Sequence, residues 1–291
     1  MRSGVVPPVR LLLIGLASVL IVGCQSRAPE FTGGLAYQHV LAQCAFGPRP
    51  VGSEENEKTA EYIEEQLRGS GWTTQFQEFE YRGVLVRNVI GAKGHGPLVL
   101  VGAHFDTRSL ADRDPFDATR PVLGANDGAS GVAVLLELAR TLDVNATGCE
   151  IWLAFFDAED QGGINEWPFS VGAQYMADNL TTLPRYVVIV DMVGDSDQAF
   201  FWEQNSDDAL LRQLWAVAAE LGYQQYFVPQ YRYAIIDDHI PFRERGIPAA
   251  DIIDFDYPYW HTAQDTPDKV SADSLERVGR VLKRWLEQGI Q

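Results

Sequence analysis

The chain has 291 residues, of which 46% are hydrophobic, 11% aromatic and 22% charged. That composition excludes a wholly disordered, collagenous or coiled-coil protein. The formal net charge of −17 argues against a nucleic-acid partner, whose binding is dominated by Lys and Arg on phosphates.

The N-terminus reads as an export signal. Arg2 and Arg10 precede an apolar run, Leu11 to Val22, closed by Gly23-Cys24. A basic stretch, an apolar stretch and a small residue are the parts of a signal peptide. The run is too short to span a hydrocarbon core in the ordinary way. The segment Ile21-Val22-Gly23-Cys24 resembles a bacterial lipobox, which implies a signal peptide over 1–23 and a lipid on Cys24. A plain signal peptide or a retained anchor is the alternative. Loss of Arg2 and Arg10 leaves 21 basic against 40 acidic residues, a net charge of −19. Lipidation tethers a chain to a membrane without spanning it. The expected location is therefore outside the cytosol, on a bacterial cell membrane. Cys44 and Cys149 remain as an even pair, either a disulfide or two buried thiols.

Residues 24–36 read as a tether, and one alternating domain follows over 37–291. A helix is expected over Tyr37–Gln43. Ser53 is a plausible N-cap, with Glu54 and Glu55 in the first turn; Ala60, Ile63 and Leu67 recur at helical spacing before Gly69. Thr74–Tyr81 and Val86–Gly91 read as strands, and Leu98–Ala103 as a buried strand. A helix over Gly131–Leu142 leads to a buried strand over Ile151–Phe156, and a helix over Val171–Asn179 to another over Tyr186–Val190. Phe200–Glu203 is a candidate strand. Helices over Asp207–Leu221 and Asp238–Glu244, a strand over Ala249–Phe255 and a closing helix over Asp273–Gln288 complete the chain. Such alternation implies an α/β fold with helices on both sheet faces.

The chemistry gathers where buried strands end. The strand LVLVGA runs into His104-Phe105-Asp106, IWLAFF into Asp157-Ala158-Glu159-Asp160, and YVVIV into Asp191. Asp127 lies in the loop before the helix at Gly131, and Trp260-His261 follows the last strand. Ligands of open α/β sheets bind outside the carboxyl ends of the strands. Histidine and carboxylate together suit zinc, whose catalytic sites use three protein ligands and keep one position open.

The segments GAHFDTR (102–108), LGANDGASGVAVLLELAR (123–140), FFDAED (155–160), DDHIPFRERGIPA (237–249) and WHT (260–262) resemble the zinc-dependent exopeptidase superfamily. Within it the chain is most similar to glutaminyl-peptide cyclotransferases of animal and bacterial type. The resemblance implies a single three-layer α/β/α domain around a mixed, mostly parallel sheet. It implies one zinc held by Asp127, Asp160 and His261, with His104 and Asp106 supporting the site or serving a second metal. Glu159 would be the general acid/base, beside an acidic network of Asp191 and Asp237. Trp260, Trp167 and Phe255 would contact the substrate, although Trp167 stands at an unexpected offset from Glu159. Relatives often have a cis peptide after the residue matching Asp127. The implied reaction converts the N-terminal glutamine of a peptide or protein to pyroglutamate, releasing ammonia, in a monomer. The rivals are a two-zinc aminopeptidase of the same fold and, remotely, a non-catalytic binding ectodomain.

Overall fold

The computed structural model describes residues 1, 3–5 and 29–289. The apolar run Leu11–Val22 and the expected lipid site at Cys24 lie outside the described residues. No helix among the described residues is long and apolar enough to cross a membrane.

Helix α1 spans Gly33–Phe46 and so begins four residues before the expected Tyr37. Its first amides are satisfied from elsewhere in the fold: Thr32 N–H donates to Glu137 Oε1 and Gly33 N–H to Glu276 Oε2. Helix α2 (Glu54–Gly69) begins as the sequence predicts, with Ser53 Oγ accepting from Asn56 N–H.

Strands β1 (Thr73–Tyr81), β2 (Val84–Gly94), β3 (Leu98–His104), β4 (Glu150–Phe156), β5 (Tyr186–Asp191) and β8 (Ala249–Ile253) form a six-stranded sheet in the order β1-β2-β4-β3-β5-β8. The four strands at the β8 side run parallel, while β1 and β2 add antiparallel at the other edge. Helices α3 (Ala129–Thr141), α4 (Val144–Thr147), α5 (Val171–Asp178), α6 (Asp208–Glu220), α7 (Ile240–Glu244) and α8 (Ala272–Glu287) complete the chain with β6 (Phe200–Glu203) and β7 (Phe227–Tyr233).

The two sheet faces are read directly from the period-two side chains. Val99, Val101, Ile151, Leu153, Val188 and Val190 enter the large core with α1, α3 and α8. Leu100, Ala154, Phe156, Val187 and Ile189 enter the opposite core with α5 and α7. This is the three-layer α/β/α arrangement.

Strand β7 is not anticipated by the sequence, because Pro229 and its polar, half-exposed residues weaken the pattern. It pairs in parallel with β6 outside the main sheet. Cys44 and Cys149 are free thiols, not a disulfide. Burial pushes the Cys44 thiol up to about 11.

One contact positions the site. A Cβ at Gly131 would lie 2.4 Å from the Val190 carbonyl oxygen and 2.9 Å from Ala103 Cβ. The bare glycine lets α3 lie directly on β3 and β5, so its N-terminal loop meets their ends.

Candidate active site

At the carboxyl edge of the sheet, His104 closes β3, Glu159 and Asp160 follow β4, and Asp191 closes β5. The loop before α3 contributes Asp127, whose peptide bond to Gly128 is cis. The loop before α7 contributes Asp237, and the segment after β8 brings Phe255, Trp260 and His261. Three non-glycine residues here, Ala158, Met192 and His261, hold left-handed backbone with φ of 58°, 45° and 58°. Such conformations persist only where the surroundings fix them, and they cluster at functional sites.

Asp127, Asp160 and His261 offer donor atoms within 4.8 Å of one another, all buried. His261 Nε2 lies 3.1 Å from Asp160 Oδ1 and 3.9 Å from Asp127 Oδ2. Asp127 Oδ2 and Asp160 Oδ2 are buried with no hydrogen-bond partner. Buried carboxylate oxygens are normally paired or bound to a cation. Two oxygens and one imidazole nitrogen fit a zinc ion with an open position. A second triad, His104, Asp127 and Asp191, shares Asp127 with the first. His104 Nε2 lies 3.1 Å from an oxygen of each of its two carboxylates.

The loops that carry these donors are tied to one another by other side chains. Asp106 accepts the amides of Glu159 and Asp160 at 3.0 and 3.1 Å, fixing the turn after β4 to the end of β3. Asp265 does the same for the turn before α3, accepting from Asn126 N–H at 2.9 Å and Asp127 N–H at 3.1 Å. The Tyr257 hydroxyl donates to Asp265 at 2.7 Å. Arg108 forks onto Asp112 with two bonds of 2.7 Å and donates to the carbonyls of Asp160 and Gly162. Asp112 Oδ1 in turn stands 3.4 Å from His261 Nδ1. A carboxylate at the far nitrogen orients a ligating imidazole. The buried Arg49 donates to the carbonyls of Phe105, Leu123 and Gly124 beneath the site.

Burial dominates the electrostatics. It pushes the Glu159 carboxyl well above its usual range; His104 opposes the shift, and Asp237, Asp238 and Asp160 add to it. Burial raises Asp191 to about 7 against the pull of His104. It likewise raises Asp265 to about 7, with Asp127 adding to the effect. For His104, burial disfavours the charged form, but Asp191 and hydrogen bonds to three carboxylates hold it well above its ordinary value.

A cavity of about 260 Å³ opens over these groups, lined by Asp127, Glu159, Asp160, Asp191, Asp237 and His261 on its polar side. Phe255 and Trp260 form an aromatic wall with ring centroids 4.8 Å apart. Phe169 also lines the cavity. Trp167 does not line this cavity; it packs edge-on against Tyr81, centroids 5.0 Å apart. The intervening loop explains the exchange, since Gly163, Asn165, Glu166 and Ser170 all have positive φ. Simple offset counting along such a chain does not say which aromatic faces inward. Asp265 and Arg49 also escape the sequence reading; Asp112 is legible there only as an acid near enough to pair with Arg108, as it does, and not as a neighbour of His261. The only signal for Asp265 was its place in HTAQD (261–265), four residues past a ligand candidate.

Residues 88–286 match peptidase family M28. A mouse glutaminyl-peptide cyclotransferase-like protein is 25% identical, the alignment covering 82% of this chain and 72% of the relative. The solved structure of Bacteroides thetaiotaomicron glutaminyl cyclase bound to N-acetylhistamine superposes with a TM-score of 0.84 at 31% identity, covering 90% of this chain and 99% of that one. A leucine aminopeptidase precursor from Bacteroides thetaiotaomicron VPI-5482 gives the same TM-score of 0.84 and 31% identity, covering 90% and 98%. The matched span contains every carboxylate and both histidines of the cavity and its braces, and this chain is an enzyme that belongs to peptidase family M28.

Proposed function

We propose that the protein is a glutaminyl-peptide cyclotransferase. The observation that carries this reading is Asp237 beside Glu159 and Asp191 in an aromatic-walled cavity, next to the Asp127–Asp160–His261 triad. Hydrolysis is the competing outcome, and the aromatic side chains Phe169, Phe255 and Trp260 beside the acids would displace water once a substrate side chain lies against them. Zinc held by Asp127, Asp160 and His261 would supply Lewis-acid polarisation of an amide carbonyl.

The residues of the chain do the rest. Phe169, Phe255 and Trp260 hold the glutamine side chain folded, so its α-amine reaches its own amide carbon; the step is intramolecular, which removes much of its entropic barrier. The new bond joins the α-nitrogen to the side-chain carbonyl carbon, and the bond to the amide nitrogen breaks. Glu159 takes one proton from the attacking amine and returns it to the departing nitrogen, which leaves as ammonia. Asp191 and Asp237 accept hydrogen bonds from the leaving amide and orient it.

A second reading is a two-metal aminopeptidase, favoured by the His104–Asp127–Asp191 triad that adjoins the first. One assay separates the two. The metal-loaded protein is given a peptide beginning with glutamine and, separately, a leucine anilide. We expect ammonia loss by mass spectrometry, abolished by a chelator and restored by zinc, with no leucine released. Leucine release without ammonia loss gives the aminopeptidase instead.

Export and lipid attachment at Cys24 are part of this proposal and rest on the sequence alone. Labelled fatty acid is expected to enter the wild type and not Cys24→Ser; equal labelling of both removes the anchor.

A further inference from the structure

A second cavity lies on the far side of Phe169. At about 340 Å³ it is larger than the catalytic cavity and within the range of pockets that hold ligands. Its floor is a stacked pair, Phe79 of β1 on Tyr175 of α5, with centroids 3.8 Å apart and planes 5° from parallel. Tyr81 and Val171 complete the apolar lining, and Glu80 and Asp178 stand at the rim. Asp178 is held by Gln174 and Arg245. Glu80 is exposed and has no ion pair among the described residues.

Phe169 is thus a partition between the two cavities, and it is a fixed one. Its ring lies on Gly162, where a Cβ would come within 2.2 Å of the ring. The next residue, Ser170, donates its amide to the Glu159 carbonyl at 3.3 Å and has φ of 59°. The backbone of the proposed acid/base therefore sets the position of the partition.

We propose that this groove is the subsite for the residues that follow the substrate's N-terminal residue. It takes a large apolar or aromatic side chain two or three places along, with a cationic neighbour drawn to Glu80. The proposal rests on the cyclotransferase reading for what occupies the catalytic cavity. Three observations support it: the shared wall, the aromatic floor and the unpaired carboxylate. An extended peptide advances roughly 3.3–3.6 Å per residue, so two or three residues carry it past one aromatic ring.

The test compares glutamine amide, which ends before the groove, with Gln-Gly-Gly-Gly-amide and Gln-Gly-Phe-Arg-amide, each with the metal-loaded wild type, Phe79→Ala and Glu80→Lys. In the wild type we expect the Phe-Arg peptide to have a kcat/KM about tenfold above the glycine peptide, expressed in KM. Phe79→Ala removes that preference and leaves glutamine amide unchanged. Glu80→Lys, a surface change that leaves the core intact, lowers the Phe-Arg peptide about threefold, and added salt masks the loss. Equal kcat/KM for the two tetrapeptides in the wild type overturns the groove while ammonia release from glutamine amide keeps the cyclotransferase reading. A Phe79→Ala loss that is the same on glutamine amide as on the peptides also overturns it. No ammonia from glutamine amide with the wild type overturns the cyclotransferase reading itself, and the groove's role with it.

Discussion

Glu159→Gln is expected to lower the rate of ammonia release about a thousandfold, within the span that general acid–base groups contribute. Glutamine matches glutamate in shape but cannot take the proton from the attacking amine. The rest of the site should stand. Asp106 binds the backbone amides at 159 and 160, not their side chains, so the turn after β4 keeps its place. The metal donors Asp127, Asp160 and His261 are untouched. Burial already disfavours a charge on Glu159, so removing the ionisable group should not cost stability. Zinc content, thermal midpoint and turnover measured on one preparation check this. Wild-type turnover in the variant, with zinc retained, removes Glu159 from its role.

The second large effect is on folding. Arg49 is wholly buried and has no salt bridge among the described residues; its guanidinium bonds mainly to backbone carbonyls. It donates to the carbonyls of Phe105 at 3.1 Å, Leu123 at 2.9 Å and Gly124 at 2.8 Å. Arg49→Met keeps much of the volume and deletes all of these donors. The Gly124 carbonyl still accepts from Ala129 N–H at 3.2 Å, so two acceptors, Phe105 and Leu123, are stranded; at about 1–3 kcal/mol each, a total of about 4 kcal/mol is expected, or a drop of about 10 °C in Tm. Arg49→Lys should recover only part, because one ammonium cannot reach three carbonyls set around a planar fork. Thermal unfolding of the three proteins checks this, and a shift below about 2 °C for Arg49→Met would show that water satisfies the carbonyls instead.

Much of the site was legible because its side chains follow buried strands, and buried strands announce themselves. Leu98–His104, Glu150–Phe156 and Tyr186–Asp191 are continuous apolar runs, and each delivers its polar residues to the same edge by parallel pairing. Ser53 marked the start of α2 for an equally local reason. What stayed hidden depends on distant partners. The early start of α1 rests on Glu137 and Glu276, 105 and 243 residues away. Asp265 acts on amides 138 and 139 residues upstream. The exchange of Trp167 for Phe169 follows from backbone conformations that residue types other than glycine seldom reveal. Strand β7 is an outlying ribbon without an apolar run of its own.

The braces also bear on how such a protein can diverge. Asp106 and Asp265 each join two loops that carry site residues, so the spacing from His104 to Asp106 and from His261 to Asp265 cannot change by a residue without moving both. An insertion there is felt on two sides of the cavity at once. Residues 163–169 carry none of these ties, yet they bear Phe169 and border both the catalytic cavity and the groove. A change in the length or composition of 163–168 would therefore reshape the two cavities' shared border at Phe169 while leaving the braces on the metal-binding and proton-transferring groups in place.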